Sequence, residues 1–515
     1  MKPFSTRVVT KDPRIVTWGL GHKGAPQYSL AVADQLLVSP LVVDQVLKWL
    51  RLPSNHPLAL PGAPASGYKA AAFATVFQGL KVPYQNDIAI LKVEHLPAAP
   101  INGQPAIFAV ANAMRARLLK TKQQRLVSPN HVLVPAPAGA GCPAGPPHPS
   151  PKLIPSPPSV QPADVTVIDS GYLDYWTTKV TDGFGDVWGP WGPNPLDNIC
   201  NLEQPINRAD FLPGSKPLGA LLAGLPAGLH ATPNTNPSWW QSHPGWWSPS
   251  TPDVPATQQK RMLDALAGHA NFVAGVIAQH CEHPTLTIWS HNGSFVATSD
   301  QFPCEASVCR SIVMSQLANP TPVIHVGFAF ALTPEAPVTA AVANNYLSVV
   351  WDRTFALIGP NHVLIAPAGN ETDTNAYFPA GLNWALPGHG FSNVIGVASL
   401  RDSNVASTFS NTGSSTATIT WVHASAPGEG IQSTFVPVHN VTCEDDPPNS
   451  AGGRPMWNFD PDGWARWDGT SFSAPRAAAD LAQRLGSGAT PAAALYAFDA
   501  TYPVLNPALG HEMWP

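Results

Sequence analysis

The sequence predicts an α/β protein whose mostly parallel sheet is flanked by helices and is preceded by a small α+β N-terminal domain. After residue 164, short apolar segments alternate with helical patterns, which is typical of a parallel sheet with helices on both faces. Residues 135–163 are rich in proline and can form neither a helix nor a central strand, which indicates an extended linker. Residues 1–134 mix short apolar runs with helical patterns and are expected to fold as a small domain. Residues 164–515 are long enough for one large domain.

Three elements are predicted in the N-terminal domain. Ser39 followed by Pro40 is typical of a helix start, because the hydroxyl can accept from a free backbone amide and proline has no amide hydrogen. This helix is expected to continue to Leu50. Residues 88–93 predict a buried strand, and residues 107–120 predict an amphipathic helix.

The large domain is predicted from its apolar strands, which are expected at residues 165–168, 323–330, 363–366 and 394–397. Ligand sites in parallel sheets lie at the carboxyl ends of the strands. Residues 176–258 are rich in tryptophan, proline and glycine and are interpreted as an ordered insertion, and the tandem rings either cover a loop or form a ligand platform. The tryptophans concerned are Trp188, Trp191, Trp239, Trp240, Trp246 and Trp247.

Composition excludes several classes of protein. The hydrophobic fraction of 44% is ordinary, whereas the charged fraction of 12% is about half the usual share. A net charge of −5 without a dense basic run argues against nucleic acid or an anionic membrane as a partner. No stretch approaches the roughly 20 apolar residues of a membrane helix, and the first residues lack the apolar core of a secretory signal, so a cytoplasmic protein is expected.

The six cysteines fit neither the spacing of a zinc site nor the density of a disulfide scaffold. Cys304 and Cys309 are close enough in sequence to consider a pair, but isolated packed thiols are the favoured interpretation.

The strongest local pattern is Gly-Thr-Ser-Phe-Ser-Ala-Pro at residues 469–475, followed directly by an alanine-rich helical segment. Ser471 is therefore predicted at a helix N-terminus, where unpaired backbone amides and the helix dipole favour negative charge on a substrate carbonyl oxygen. This segment resembles the nucleophile motif of the subtilisin-like serine peptidases. A serine nucleophile needs a base to take its proton and a carboxylate to orient that base.

The resemblance extends to three more positions. Asp169 ends an apolar strand in Asp-Ser-Gly and is similar to the aspartate of the family. His269 lies in Gly-His-Ala-Asn-Phe-Val-Ala-Gly, where Ala270 replaces the usual glycine and Asn271-Phe272 replaces Thr-His. Asn370 ends a strand in Ala-Gly-Asn and is similar to the oxyanion-hole asparagine. The resemblance thus implies Asp169, His269 and Ser471 as a catalytic triad, with Asn370 as oxyanion donor.

The order of these residues agrees with the resemblance, because Asp, then His, then Ser is the subtilisin order and differs from the chymotrypsin and α/β-hydrolase orders. The related sedolisins use Glu and Asp where this chain has His269 and Asn370. Residues 323–329 resemble the strand that pairs with substrate, which implies substrate binding by Gly327, Phe328 and Ala329. The resemblance covers residues 164–485.

The expected function is therefore that of a serine endopeptidase which acts on a polypeptide substrate through an acyl-enzyme. No cofactor is expected, and structural Ca²⁺ is left open because no carboxylate-dense loop has recognisable ligand spacing. The alternative is a catalytically silent or latent subtilisin-like binding protein, since the residues after His269 and a long loop at residues 437–467 could disturb or cover the site. A non-peptidase serine hydrolase is a third alternative.

Two hypotheses describe the N-terminal domain. Residues 111–124 and 127–134 resemble the helix and strand that close subtilisin-like propeptides, which implies an inhibitory segment and a zymogen. The other hypothesis is an accessory domain that delivers the protein to a partner.

Overall fold

A computed structural model describes most of the chain. The described residues are 15–18, 29–80, 82–83, 87–133, 147–150, 162–169, 180–181, 187–188, 201–206, 262–263, 268–281, 284–290, 304–332, 339–413, 420–435, 442–443, 455–459 and 463–514.

The N-terminal domain is an antiparallel sheet with helices packed on it. Its strands are β1 (Ile15–Trp18), β2 (Ser29–Val38), β3 (Lys69–Thr75), β4 (Ala89–Glu94) and β5 (Val127–His131), and its helices are α1 (Val43–Leu50) and α2 (Ala106–Leu118). The strand order is β1-β2-β4-β3, and β5 also pairs with β2. Short 3₁₀ turns at Leu119–Thr121 and Gln124–Leu126 connect α2 to β5. The predicted strand and the second predicted helix are therefore present within a few residues.

The predicted start of helix α1 was wrong. The residue before the helix is Val42, whose side chain makes no cap, although the hydroxyl of Ser39 accepts from the amide of Leu41 at 3.4 Å in the preceding turn. The amide of Val42 donates to the carbonyl of Ser39 at 3.0 Å, which closes a turn over Pro40 and Leu41 before the helical pattern begins. A turn of this kind places proline favourably without continuing as a helix.

The remaining strands are β6 (His148–Pro149), β7 (Val165–Asp169), β8 (Val180–Thr181), β9 (Val187–Trp188), β10 (Asn201–Ile206), β11 (Met262–Leu263), β12 (Thr285–Ser290), β13 (Val323–Val326), β14 (Phe330–Ala331), β15 (Val363–Pro367), β16 (Tyr377–Phe378), β17 (Val394–Asp402), β18 (Val405–Ala406), β19 (Ala424–Pro427), β20 (Ile431–Thr434), β21 (Thr442–Cys443), β22 (Trp464–Trp467) and β23 (His511–Glu512). The remaining helices are α3 (His269–His280), α4 (Glu305–Ala318), α5 (Ala340–Tyr346), α6 (Val350–Ile358), α7 (Leu382–Ala385), α8 (Thr470–Gly486) and α9 (Pro491–Thr501).

The main sheet has the order β10-β12-β7-β13-β15-β17-β19-β23, and all of these neighbours pair in parallel. Strand β18 adds an antiparallel pairing to β17. The mostly parallel sheet predicted from the sequence is thus confirmed. Strand β7 lies well inside the sheet, between β12 and β13, so its carboxyl end is at a protected central position.

Successive residues of the central strands pack on opposite faces of the sheet. Val323 belongs to the core cluster that contains residues of α3 and α8, whereas Ile324 belongs to the cluster that contains residues of α4 and α6. This alternation gives each face its own hydrophobic core. Because both faces are covered, the sheet strands read as continuous apolar runs in the sequence.

One predicted strand is interrupted. Residues 323–330 form β13 and β14, and the chain leaves the main sheet at Gly327. The amide of Gly327 still donates to the carbonyl of Ile168 at 2.9 Å, after which β14 pairs with β16 in a separate antiparallel pair.

Part of the proline-rich linker is a strand. Strand β6 pairs with β22 through His148↔Arg466 and Pro149↔Ala465, at the edge of a three-stranded sheet of order β20-β22-β6. An edge is where proline is tolerated, since it has no amide hydrogen to donate. The amide of Ala163 donates to the carbonyl of Ala482 in α8 at 2.8 Å, so the linker contacts the large domain at both ends of the 151–161 segment.

Other predictions are only partly within the described residues. Of the tryptophans in the insertion at 176–258, Trp188 lies in β9 and the others lie outside the described residues. The end of the predicted 437–467 loop is strand β22.

Cys304 and Cys309 are free thiols and do not pair. Among the helices that the structure describes, none combines the length and the apolar character needed to cross a bilayer.

Candidate active site

Asp169 is the last residue of β7, at the carboxyl end of the central strand. Its side chain is fully buried. Gly327 lies directly against it: a Cβ at this glycine would be 2.0 Å from Oδ2 of Asp169. The chain therefore passes the carboxylate closely only because residue 327 has no side chain.

His269 is the first residue of α3 and follows Gly268, which has a φ of 72°. A Cβ on Gly268 would also lie 2.5 Å from the ring of Phe435, so this turn requires glycine for two reasons. The Nδ1 atom of His269 is 2.8 Å from Oδ1 of Asp169. An ionised carboxylate only accepts hydrogen bonds, so Nδ1 carries the proton and Nε2 of a neutral ring is the basic nitrogen.

Aromatic side chains hold the ring of His269. Its centroid is 5.5 Å from that of Phe472 and 6.1 Å from that of Trp467. Phe272, which replaces the usual histidine of the motif, packs 4.4 Å from Phe472 and edge-on to Trp467. The unusual residues after His269 thus extend the packing around the ring.

Asn370 follows β15, and its orientation is fixed by Thr470. The Oδ1 atom of Asn370 accepts from the backbone amide of Thr470 and from its hydroxyl, both at 2.9 Å. With the oxygen so engaged, the amide nitrogen Nδ2 is the free end of the side chain. It is buried and has no hydrogen-bond partner among the described residues.

Ser471 is the second residue of α8, so its backbone amide is one of those left unpaired by the helix. Its side chain is fully buried. The structure brings Asn370 next to Ser471 through Thr470, and it brings Asp169 next to His269 through a direct hydrogen bond.

The two pairs are not joined by a hydrogen bond. Within the part of the chain that the structure describes, neither Nε2 of His269 nor Oγ of Ser471 has a partner, although both atoms are buried. Such contacts are often long in the absence of substrate and tighten when it binds.

Sequence reasoning missed the residues that support Asn370. The Oδ1 atom of Asn411 accepts from the amide of Glu371 at 2.8 Å, and its Nδ2 donates to the carbonyl of Ala368 at 3.1 Å and to Oε2 of Glu371 at 3.2 Å. The amide of Asn370 donates to that same Oε2 at 3.0 Å. The only signal in the sequence is that glutamate directly follows the Ala-Gly-Asn segment.

His325 in β13 was also missed as part of the environment of the pair. Burial lowers its pKa to about 4, the charge of Asp169 opposes this effect and the charge of His269 adds to it. Neither ring nitrogen has a hydrogen-bond partner among the described residues. A neutral ring therefore lies beside Asp169 and His269 at pH 7.

The segment predicted to bind substrate is buried. Phe328 and Ala329 are 1% and 0% exposed. The ring of Phe328 belongs to the core cluster on the α4 side of the sheet. Among the described residues, the one group of side chains that could hold a metal ion is His423, Asp499 and His511, none of which belongs to this site.

Comparison with known proteins identifies part of the chain. Residues 339–493 match the model of the family described as the subtilase family, and this segment contains Asn370 and Ser471. Residues 339–493 are thus similar to the subtilase family, the family that the sequence was predicted to resemble. This similarity supports a serine peptidase in general. Asp169 and His269 precede the matched residues.

Three solved protease structures are similar to this chain at low sequence identity. A lanthipeptide protease is 14% identical, with 48% of this chain and 72% of that chain covered and a TM-score of 0.35. A cold-adapted subtilisin-like serine proteinase is 15% identical, with 68% and 88% covered and a TM-score of 0.35. Fervidolysin from Fervidobacterium pennivorans, a keratinolytic enzyme related to subtilisin, is 14% identical, with 96% and 61% covered and a TM-score of 0.44. No curated protein sequence matches the chain.

Proposed function

We propose that this protein is a serine endopeptidase in which Ser471 is the nucleophile, His269 the base and Asp169 the residue that orients the base. The observation that carries the proposal is the 2.8 Å contact between Nδ1 of His269 and Asp169, because it leaves Nε2 as the basic nitrogen. The location of Ser471 in the first turn of α8 supports its role, since the amides of a helix N-terminus stabilise developing negative charge.

In the proposed reaction the Oγ atom of Ser471 attacks the carbonyl carbon of a peptide bond while Nε2 of His269 takes the hydroxyl proton. The C–N bond then breaks, and His269 returns that proton to the leaving amine. Water hydrolyses the acyl-enzyme by the same steps. The free Nδ2 of Asn370 and the amide of Ser471 would donate to the carbonyl oxygen when it becomes negatively charged. These steps use only side chains and amides of the chain, and no cofactor is proposed.

We further propose that the chain is a latent form of this enzyme. Asp169, His269, Asn370 and Ser471 are each fully buried, so a polypeptide has to displace other parts of the chain to reach Oγ. The silent binding protein is the second candidate function, and the same burial together with the missing contact between His269 and Ser471 favours it.

The N-terminal domain is proposed to contribute to latency as a propeptide-like inhibitor. It contacts the first turn of α4: Oδ1 of Asn130 accepts from the amide of Ala306 at 3.2 Å, and Nδ1 of His131 lies 2.6 Å from Oε2 of Glu305. The guanidinium of Arg310, also in α4, donates to the carbonyls of Val76 and Gln78 at 2.9 Å each. Buried contacts of this kind favour a domain that is integral to the fold over a loosely attached accessory domain.

The end of the domain also lies near the predicted substrate segment. The ring of His131 stacks on that of Phe330 at 5.1 Å. Leu133 is fully buried in the core cluster that includes Phe328 and Phe330. A chain that leaves the domain here is well placed to compete with substrate.

The test of the activity is covalent labelling of the purified chain with a fluorophosphonate, followed by peptide mapping. We expect wild type to be labelled at Ser471, slowly in the intact chain and faster after limited proteolysis, and Ser471→Ala to be unlabelled in both. Ser473→Ala is the matched control, because Ser473 is a buried serine of the same helix whose Oγ also has no partner among the described residues, and it should be labelled like wild type. Folded wild type that stays unlabelled even after limited proteolysis would favour the silent binding protein.

The inhibitory role is tested by the rate of the same labelling in Asn130→Ala. Removing the side chain that accepts from the first turn of α4 should loosen the domain and speed labelling. Lys92→Ala, at an exposed position of the same domain, serves as control and should label at the wild-type rate. Equal rates in a folded Asn130→Ala would support the accessory-domain hypothesis, without bearing on the nucleophile.

A further inference from the structure

Three side chains with metal-binding atoms meet at the edge of the main sheet, on elements that the proposed reaction does not use. His423 directly precedes β19, Asp499 is in α9 and His511 is in β23. The Nε2 atom of His423 is 2.9 Å from Oδ1 of Asp499, and Nε2 of His511 is 3.4 Å from the same oxygen. The ligand atoms of all three lie within 4.8 Å of one another.

The backbone fixes this arrangement. Strand β23 pairs with β19, and the amide of His511 donates to the carbonyl of His423 at 2.8 Å. The two imidazole rings are 5.4 Å apart, and Phe498 of α9 packs against both. The cluster therefore does not depend on long flexible side chains that meet by chance.

The hydrogen bonding of His511 points to a cation between these groups. Its Nδ1 atom lies 2.8 Å from the carbonyl oxygen of Tyr502, which can only accept, so Nδ1 carries a proton. In a neutral ring Nε2 of His511 then carries a lone pair, and it faces Oδ1 of Asp499. The same oxygen also faces Nε2 of His423. Two ring nitrogens thus converge on one carboxylate oxygen, at 2.9 and 3.4 Å, which is the arrangement of ligand atoms around a bound metal ion. A backbone carbonyl that holds the far nitrogen is the usual second-layer partner of a metal-bound histidine.

We propose that His423, Asp499 and His511 form a binding site for a divalent transition metal of the zinc class. Two imidazoles and a carboxylate suit Zn²⁺, whereas Ca²⁺ and Mg²⁺ prefer oxygen ligands. Around an ion bound at 2.0–2.1 Å in tetrahedral geometry, neighbouring ligand atoms are about 3.3 Å apart. The observed separations of 2.9 and 3.4 Å to Oδ1 require only small adjustments to reach this geometry. The side chains are 22–38% exposed, which leaves solvent access for the ion and for a water as fourth ligand.

A bound ion would link three separate segments of the chain. An ion held by these three residues connects the last strand of the sheet, helix α9 and the segment before β19. It would thus hold the described C-terminal residues on the sheet edge, and it would stabilise the folded chain because an unfolded chain does not present the three ligands together.

The test compares Zn²⁺ binding by wild type and by Asp499→Asn and His511→Gln, in competition with a chromophoric chelator near pH 7.5, after metal has been removed. We expect wild type to bind one more equivalent of Zn²⁺ than either variant, or to bind that equivalent more than about 100-fold more tightly. Loss of a residue that only supports a metal ligand changes the affinity by about 10- to 100-fold, so a larger change indicates a direct ligand. Zn²⁺ should raise the Tm of wild type and leave that of the variants nearly unchanged. Co²⁺ in place of Zn²⁺ should give the visible absorption of a four-coordinate ion in wild type alone.

The matched control is His389→Gln, which removes another histidine that pairs with an aspartate, Asp352 at 2.9 Å, away from the cluster. It should bind metal like wild type. If either cluster variant fails to fold, His423→Gln carries the same comparison. Equal stoichiometry and affinity of Zn²⁺ in wild type and in a folded cluster variant would overturn the proposal. The three residues would then be a hydrogen-bonded group without a metal ion.

Discussion

In the Asp169–His269 pair the histidine ring is packed among aromatic side chains, whereas in the Asn370–Ser471 pair the side chain of Asn370 is held by hydrogen bonds. Nδ1 of His269 is 2.8 Å from Oδ1 of Asp169, and the rings of Trp467 and Phe472 lie beside the histidine. In the second pair Thr470 donates to Oδ1 of Asn370, and Asn411 binds the neighbouring residues Ala368 and Glu371. When one member of a buried polar network is lost, the groups that it paired with are left unsatisfied.

The largest effect should come from the first pair. His269→Ala removes the proposed base, and we expect turnover of a peptide substrate to fall by about 10⁶-fold, the magnitude found for subtilisin. Asp169→Asn should cost about 10⁴-fold, since the ring remains but its tautomer is no longer fixed. Steady-state kinetics on processed enzyme measures both. Equal losses in the two variants would argue that Asp169 does more than orient the ring.

The oxyanion side of the second pair should show a smaller effect. Asn370→Ala removes the free Nδ2 donor, and we expect kcat to fall by about 100- to 1000-fold with little change in KM. Asn393→Ala is the control, since that side chain makes an exposed hydrogen bond to the carbonyl of Pro360. A change confined to KM would show that Asn370 binds substrate instead of stabilising the transition state.

Removal of the network itself should appear in stability. Asn411→Ala leaves the buried amide of Glu371 and the buried carbonyl of Ala368 without their partner, and such groups cost about 1–3 kcal/mol each. We expect the free energy of unfolding to fall by about 3 kcal/mol, measured by urea denaturation. Asn393→Ala again serves as control. A stability like that of wild type would mean that the network is not what holds Asn370.

The smallest effect concerns the pH dependence that arises from His325, the neighbour of Asp169 and His269. Burial lowers the pKa of His325 to about 4 in the folded chain, against about 6.5 when unfolded. Between these values the unfolded state binds a proton that the folded state does not, so stability is lost as pH falls. From pH 7 to pH 5 we expect a loss of about 2 kcal/mol from this residue. His325→Leu should show a correspondingly flatter pH profile, and an unchanged profile would mean that His325 is charged or solvated in the folded chain.

The sequence predicted those parts of the fold and site that depend on local pattern. The apolar runs at residues 165–168 and 363–366 gave strands of the sheet because both faces are buried. Asp169 and His269 are 100 residues apart, and their close contact was expected only because their two motifs resemble those of one family. The role of Asn411 was not predictable, because its partners lie about 40 residues away and no local pattern marks them.

The errors have physical causes too. Ser39 has the chemistry of a cap, but Pro40 and Leu41 close a turn first, and local propensity cannot tell these outcomes apart. The predicted strand at 323–330 ends early because Gly327 is pressed against a carboxylate of another strand, which is a tertiary contact.

The two attachments of the linker have a consequence for a nicked protein. A cut within residues 151–161 would leave one new end held by the pairing of β6 with β22 and the other by Ala163 on α8. The N-terminal domain would also keep its buried contacts with α4. Two fragments on a denaturing gel should therefore still migrate as one species in native size-exclusion chromatography. Cleavage of the linker and separation of the two fragments would therefore be distinct events. Strand β22, which pairs with β6, leads directly into the helix that contains Ser471.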